Sequence, residues 1–292
     1  MPKDFKTITE QIEILKNRGL SIPDEQAAYD FLMNNNYYRI SGYSLTLRNH
    51  DIFNGTAEFQ NIIDIYSFDE AFRALLMYEL EHIEVKIKSV YSYCFTQKYG
   101  ALGYLSSSNF TDEEIYTAIM TKAEQQKQNR LSHEAFLKHF VEDLQEDIPF
   151  WAYIDLLTIS DVSKLYSISE QDIKASVAAH FGLTFSTAVD VMRKYLYCMT
   201  ILRNLCAHGS RIYNRLFITK PSLNRKELAL LRKDDNGNPD NSNAFGYILN
   251  IRRLLTNDEF AVFKSELEDL CSKYPFIDMK YYGFCDNWKD VL

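Results

Sequence analysis

Along most of the chain, apolar residues recur at intervals of three and four positions rather than two, the period of helices that each turn one face to a core. Only ten glycines and six prolines punctuate 292 residues, so the pattern predicts an all-α fold. Residues 6–18 read as a first helix closed by Gly19, and SIPDE supplies a cap and a first-turn Pro23 for a second helix running to about Met33. Asn34 to Asn36 mark a turn and a third helical piece follows. Together these predict an N-terminal helical unit over 1–55, with DIFNGT as the linker to a helical domain over 56–292.

From Phe59 to Tyr99 the apolar positions Ile62, Tyr66, Leu76, Leu80, Ile83, Ile87 and Val90 continue without Gly or Pro, which predicts one long amphipathic helix or two colinear ones. GALGYLSSSNFTDEE is a loop ending on a capping signal, Thr111 followed three residues later by Glu114, and helices are expected over 112–129 and 132–146. Pro149 opens the segment PFWAYIDLLTISDVSKLYS, in which Trp151 is assigned to the core. In the helix from Phe185 to Ala207, with Thr184 and Ser186 as candidate caps, Met192, Tyr195, Leu196, Met199, Leu202 and Cys206 share a face, and Gly209 stands where a helix stops. A polar loop over 232–243, helices over 243–255 and 257–272 and an aromatic tail complete the chain.

Composition narrows the class. Hydrophobic residues at 46% and charged residues at 25% are globular values. No run approaches the roughly 18 apolar residues of a membrane span, and the first residues lack a secretory pattern, so the chain is expected in the cytosol without a membrane partner. Cys94, Cys198, Cys206, Cys271 and Cys285 form no C-x-x-C pair and read as reduced thiols. His133 and His139 are six apart and no H-E-x-x-H occurs, so no metal or other cofactor is expected.

The net charge of −8 argues against indiscriminate nucleic-acid binding, yet its distribution is uneven. Residues 203–233 hold eight basic residues, among them Arg211, Arg215, Lys220, Arg225 and Lys226, against the single acid Glu227; this segment is +7 and the rest of the chain −15. A focused polyanion site would look like this, and so would a solvated basic face. Tyr37, Tyr38, Arg39 and Tyr43 combine rings and guanidinium in the way that unstacked RNA bases are held, or else serve packing, and Tyr213 in the basic segment joins Tyr37, Tyr38 and Arg39 among the RNA-binding candidates.

Within the basic segment, RNLCAHGSRIYNR sets Arg203 five positions before His208. An imidazole that moves a proton and a guanidinium that steadies a phosphorane cleave RNA without metal, the neighbouring 2′-hydroxyl attacking to leave a 2′,3′-cyclic phosphate. In thirteen arginines and six histidines such a spacing arises by chance on the order of once, so context decides. On a straight helix the two residues lie about 140° apart, and they meet only at an end or bend, which Gly209 provides; Asn204, one turn before His208, is placed to orient the ring. The plainer alternative pairs Arg203 with an acid and leaves His208 to cap the helix.

This segment resembles the Arg-Asn-x-x-x-His centre of the HEPN ribonuclease superfamily, in particular the Abi family of bacterial abortive-infection proteins of the AbiD and AbiF type. LKNRGLSIPDEQAAYDFLMNNNYYRISGYSL, YELEHIEVKIKS and PFWAYIDLLTISDVSKLYS agree in order, over roughly residues 10–217. ISDVS stands where the family pattern has a Phe-Gly turn. The resemblance implies a HEPN-like helical bundle, an endoribonuclease centre with Arg203, Asn204 and His208 as its catalytic positions, and a homodimer in which two such motifs face one another. Some AbiF-like members resemble toxins restrained by a structured non-coding RNA, which makes such an RNA a candidate partner. On the long helix, Glu84 is either half of a surface pair with Lys88 or the group that fixes Arg203 or His208. The competing function is a non-catalytic RNA-binding regulator, and a further one a protein-binding scaffold.

Overall fold

The computed structural model describes residues 4–292; residues 1–3, where the expected N-terminal unit begins, lie outside the described residues. Helix α1 (Ile8–Asn17) starts at Thr7, whose hydroxyl accepts from the Glu10 N–H while the Glu10 carboxylate accepts from the Thr7 N–H. Asp24 caps α2 (Glu25–Asn35) by accepting from the Ala27 N–H. Asn36, at φ 59°, then turns the chain into α3 (Tyr37–Ser41). A two-residue hairpin follows, β1 (Arg48–Asn49) against β2 (Ile52–Phe53), with Arg48 opposite Phe53.

The expected linker is therefore structured. Phe53 is buried, its N–H donates to the Arg18 carbonyl, and Ser21 bonds to the backbone at both Ala57 and Phe59. The cause is the apolar pair Ile52–Phe53 inside the polar run: burying Phe53 against α1 outweighs the turn signal around it. Buried side chains before and after residue 55 belong to one contiguous cluster reaching from Ile12 to Trp288.

Helix α4 (Phe59–Tyr99) is one uninterrupted element of 41 residues, roughly 60 Å long. Neighbouring residues such as Ile65 and Tyr66, Phe68 and Asp69, Phe72 and Arg73, Glu79 and Leu80 are buried together, so α4 is enclosed on several sides rather than along one stripe. Around it stand α5 (Glu113–Arg130), α6 (Ala135–Lys138), α7 (Phe150–Tyr153), α8 (Ile159–Ile168), α9 (Gln171–His180) and α10 (Ala188–Ala207). The short α11 (Arg225–Leu228), then α12 (Ala244–Leu254), α13 (Asn257–Lys273) and α14 (Trp288–Val291) close the fold. Helices α7, α8, α9, α10, α12 and α13 all contact α4.

Several local expectations need correction. Asp112, not Thr111, caps α5, and the Thr111 hydroxyl donates instead to the Ile168 carbonyl. The helix expected over 132–146 is the short α6 followed by a wide π-type turn over His139–Leu144. Thr187 precedes α10 in place of Thr184 or Ser186. Trp151 is 56% exposed: Phe150, Tyr153 and Ile154 take the buried face of their segment, and the indole falls outside it.

One buried carboxylate joins distant parts of the chain. Asp69 of α4 is fully buried and accepts from the Tyr43 hydroxyl at 2.8 Å, the Tyr282 hydroxyl at 3.0 Å, the Ile212 N–H at 3.2 Å, the Tyr213 N–H at 2.8 Å and the Arg73 guanidinium. Burial, and then the charge of Asp69, push both tyrosine hydroxyls well above their ordinary range, so they remain donors. Because Arg73 is itself 5% exposed, Asp69→Asn leaves a cation buried without its counter-charge. The variant is expected to lose about 3–5 kcal/mol in urea unfolding, and the added change Arg73→Met to recover part of that loss. An unchanged midpoint in Asp69→Asn would show that Arg73 does not depend on it.

At the other end of α4, Lys86 meets Glu259 of α13 at 2.9 Å. The Thr256 N–H, and after it the Lys86 ammonium, hold the Glu259 carboxyl at about 2, below the carboxylate range. A depressed folded-state value stabilises above the unfolded value of about 4.3, and that contribution is lost as pH falls toward 2. The gap in urea midpoint between the unmodified protein and Glu259→Gln is therefore expected to be full at pH 6, to narrow below about pH 4 and to be nearly closed only at about pH 2. A gap that does not vary with pH would refute this account.

Candidate active site

Helix α10 ends in a closed motif. The Gly209 N–H donates to the Cys206 carbonyl at 3.0 Å and the Ser210 N–H to the Leu205 carbonyl at 2.8 Å, with Gly209 at φ 59°, a conformation that a side chain would strain. His208 is the last residue before that turn, and its own N–H bonds to the Asn204 carbonyl. Its side chain is exposed, and no group among the described residues hydrogen-bonds its ring. Asn204 is exposed as well and makes no side-chain bond to His208, so the ring is not oriented by it in this state.

Arg203 sits one turn or so back, 34% exposed, with its Nε 3.5 Å from a Glu84 carboxylate oxygen. That nitrogen is buried and has no aligned hydrogen bond, so the contact is an ion pair rather than a fork. Glu84 also lies 3.1 Å from the Lys88 ammonium. Lys88, Glu84 and Arg203 thus form a chain with one net positive charge, and the Glu84–Lys88 pair is half-buried rather than on the open surface.

The turn after His208 is gripped from the N-terminal segment. The Arg39 guanidinium donates to the Gly209 carbonyl and lies 5.5 Å from the centre of the Tyr66 ring. Gly42 packs so close to Arg211 that a Cβ there would come within 3.1 Å of its Nε. Thr46 and Tyr213 join hydroxyls at 2.5 Å, and Asp69 holds the Ile212 and Tyr213 amides.

These contacts revise the proposed RNA-facing set. Tyr213 is a core side chain, 2% exposed and packed against Tyr281 and Tyr282, because Ile212 and Tyr213 turn inward toward Asp69. Tyr37 is half-buried with its hydroxyl near Arg18, whereas Tyr38 is 88% exposed. Arg39 is committed to Gly209 and Tyr66, and Arg211 folds back onto the Tyr213 carbonyl. Arg215 reaches the Arg211 carbonyl and lies over Phe217. Lys220, Arg225 and Lys226 are exposed. The arginines at 39, 211 and 215 therefore shape the loop, and the freely presented cations are the later ones. Asp69 and Arg73 were missed by sequence reasoning; the signal was an acid and a base four apart within an apolar run.

No three His, Cys, Asp or Glu side chains come together as metal ligands among the described residues, and no helix among them is long and apolar enough to cross a membrane. The fold is an all-helical assembly around one long helix, with an exposed histidine at a helix end and an arginine on the helix that bears it. The model for the Abi-like protein family matches residues 30–214, and the chain belongs to that family. Membership ties it to abortive infection, a defence function. No curated protein and no solved structure matches the chain.

If Arg39 braces the turn that carries His208, Arg39→Ala should cost about 2 kcal/mol, from a charge-assisted hydrogen bond and a cation–π contact. Hydrogen exchange should accelerate at Gly209 to Tyr213 more than elsewhere, and Arg39→Lys should restore part of the protection. Exchange that rises evenly across the fold, or not at all, would count against a local brace.

Proposed function

We propose that the chain is a metal-independent endoribonuclease of HEPN type acting in abortive infection, with His208 as the general acid or base, Arg203 as the phosphate-binding cation and Asn204 beside them. The observation that carries this reading is the exposed, unbonded imidazole of His208, fixed by a closed helix end on the same helix as a guanidinium that Glu84 holds from one side only. An imidazole free of protein partners is available to move a proton of the 2′-hydroxyl or the leaving 5′-oxygen. Arg203 keeps its outer nitrogens for the phosphorane oxygens, where charge grows in the transition state. The +7 character of 203–233, presented chiefly by Lys220, Arg225 and Lys226, supplies the field that gathers RNA.

A homodimer fits the same reading. Each chain offers one Arg203 and one His208, and exposed apolar side chains stand on the same elements: Val85 on α4, Tyr197 on α10, Leu216 and Ile218 after the His208 turn. Such an enzyme is toxic when unrestrained, which suits control by a bound structured non-coding RNA. A non-catalytic RNA-binding regulator is the second reading, favoured by Asn204, which is exposed and does not reach the ring it would have to orient for catalysis.

Purified protein is expected to cleave single-stranded RNA in the presence of chelator, leaving 2′,3′-cyclic phosphate ends and sparing DNA. His208→Ala and Arg203→Ala should each lower the rate by about a hundredfold or more while RNA affinity is retained. Binding without cleavage in the unmodified dimer would leave the regulator, and no binding at all would remove both.

A further inference from the structure

The exposed indole of Trp151 lies beside α4 at a groove of about 430 Å³ that none of the catalytic residues lines. Its walls are Trp151, Tyr93, Ser89, Ser92, Thr96 and Gln97. We propose that this groove is a nucleobase-binding site, in which a base stacks on Trp151 or Tyr93 and its edge is read by Thr96 and Gln97.

The lining chemistry selects the ligand. Two aromatic side chains stay out of the core, Tyr93 at 68% and Trp151 at 56% exposure, and no other ring stacks on either among the described residues. The Thr96 hydroxyl oxygen is buried with no hydrogen-bond partner, a group that costs free energy until something pairs with it. Gln97 is exposed and offers both a donor and an acceptor, the combination that a base edge presents in return. The Ser92 hydroxyl donates to the Ser89 carbonyl and keeps only its acceptor lone pairs. No charged side chain lines the groove, so the part of the ligand held there is neutral; a phosphate, an anionic headgroup or an acidic peptide finds no counter-charge. A flat, neutral heterocycle with hydrogen-bonding edges fits all of these conditions. A second copy of this chain fits less well, since apolar side chains laid on the two rings would leave the Thr96 hydroxyl still without a partner.

The site is separate from the reaction centre. Ser89 follows Glu84 on α4 by roughly 7–8 Å of rise and about 140° of rotation, so groove and Arg203 do not share one helix face. A base held there belongs to a nucleotide other than the scissile one. The inference rests on the RNA reading only in naming RNA as the source of that base, and a free nucleotide satisfies the same chemistry.

Two tryptophans occur in the chain, and the other, Trp288, is 5% exposed against Phe284, so emission from an exposed indole reports on Trp151. The full-length protein would be titrated with AMP, GMP, CMP and UMP, and with a 2′-O-methyl oligonucleotide, which lacks the nucleophile and is not cut. Saturable quenching is expected, stronger with purines, and seen with mononucleotides if a free nucleotide suffices or with the oligonucleotide alone if the source is a strand. Anisotropy of the labelled oligonucleotide supplies a second reading. There Trp151→Ala and Tyr93→Ala should each weaken binding about tenfold, with Trp151→Phe milder and circular dichroism unchanged in all three. Absence of saturable quenching by every probe overturns the proposal, as does a spectral change driven by protein concentration alone, which would place a second copy in the groove. Cleavage of unmodified RNA is scored separately: a protein that cuts but shows no quenching keeps its nuclease and loses this site, and one that quenches but does not cut keeps the site.

Discussion

The Asp69 carboxylate, fully buried on the central helix, takes hydrogen bonds from α4 itself, from the segment after α3, from the loop after α10 and from the C-terminal segment. A buried charge tolerates no slack, because each lone pair left empty costs desolvation that nothing else returns. All of these segments must therefore arrive together. That requirement, more than helix packing alone, fixes the course of the chain from His208 to Tyr213: the amides at 212 and 213 are pinned from below by Asp69, and the Gly209 carbonyl from the side by Arg39. The family match ends at residue 214, yet Tyr282 completes the Asp69 shell, so the segment beyond the match closes the same core.

Much of the fold was legible in the sequence, and the failures have physical causes. Helical period and Gly209 as a stop depend on local chemistry, and those readings agree with the structure, which also resolves the choice between one long helix and two colinear ones in favour of one, enclosed on several sides rather than amphipathic. The linker, the helix expected over 132–146 and the caps of α5 and α10 differ from the sequence reading where several polar residues compete and a buried neighbour decides, as Phe53 does in DIFNGT. Trp151 departs from its expected place in the core because Phe150, Tyr153 and Ile154, at helical spacing, take the buried face of the segment. Tyr213 stands between Ile212 and Asn214 with Arg211 and Arg215 beyond, and that mixed setting does not show which side chains turn inward. Its environment comes from Asp69, Thr46 and Tyr282, all distant in sequence.

The candidate site was half legible for the same reason. The pattern RNLCAHGSRIYNR names the residues, and the helix end explains how they are placed, but whether an arginine faces solvent or its own backbone is a tertiary fact. Arg211 and Arg215 donate to carbonyls at 213 and 211, as Arg39 from outside the basic segment does to that of 209, which spends two of the segment's arginines on holding the loop rather than on display. Net charge along the sequence therefore overstates the number of cations free to meet a polyanion.

Arg203 escapes that fate through an imbalance. A single carboxylate, Glu84, is shared between Lys88 and Arg203, so it cannot neutralise both. Its contact with Arg203 is at Nε, at 3.5 Å and without an aligned hydrogen bond, whereas a bidentate pair would have occupied the edge that a phosphate uses. A partly exposed guanidinium held at one edge loses little orientational freedom when an anion reaches the other, and it retains charge to offer. For the proposed reaction, Lys88 then acts at a distance: by drawing on Glu84 it keeps that carboxylate from competing with the phosphate for Arg203.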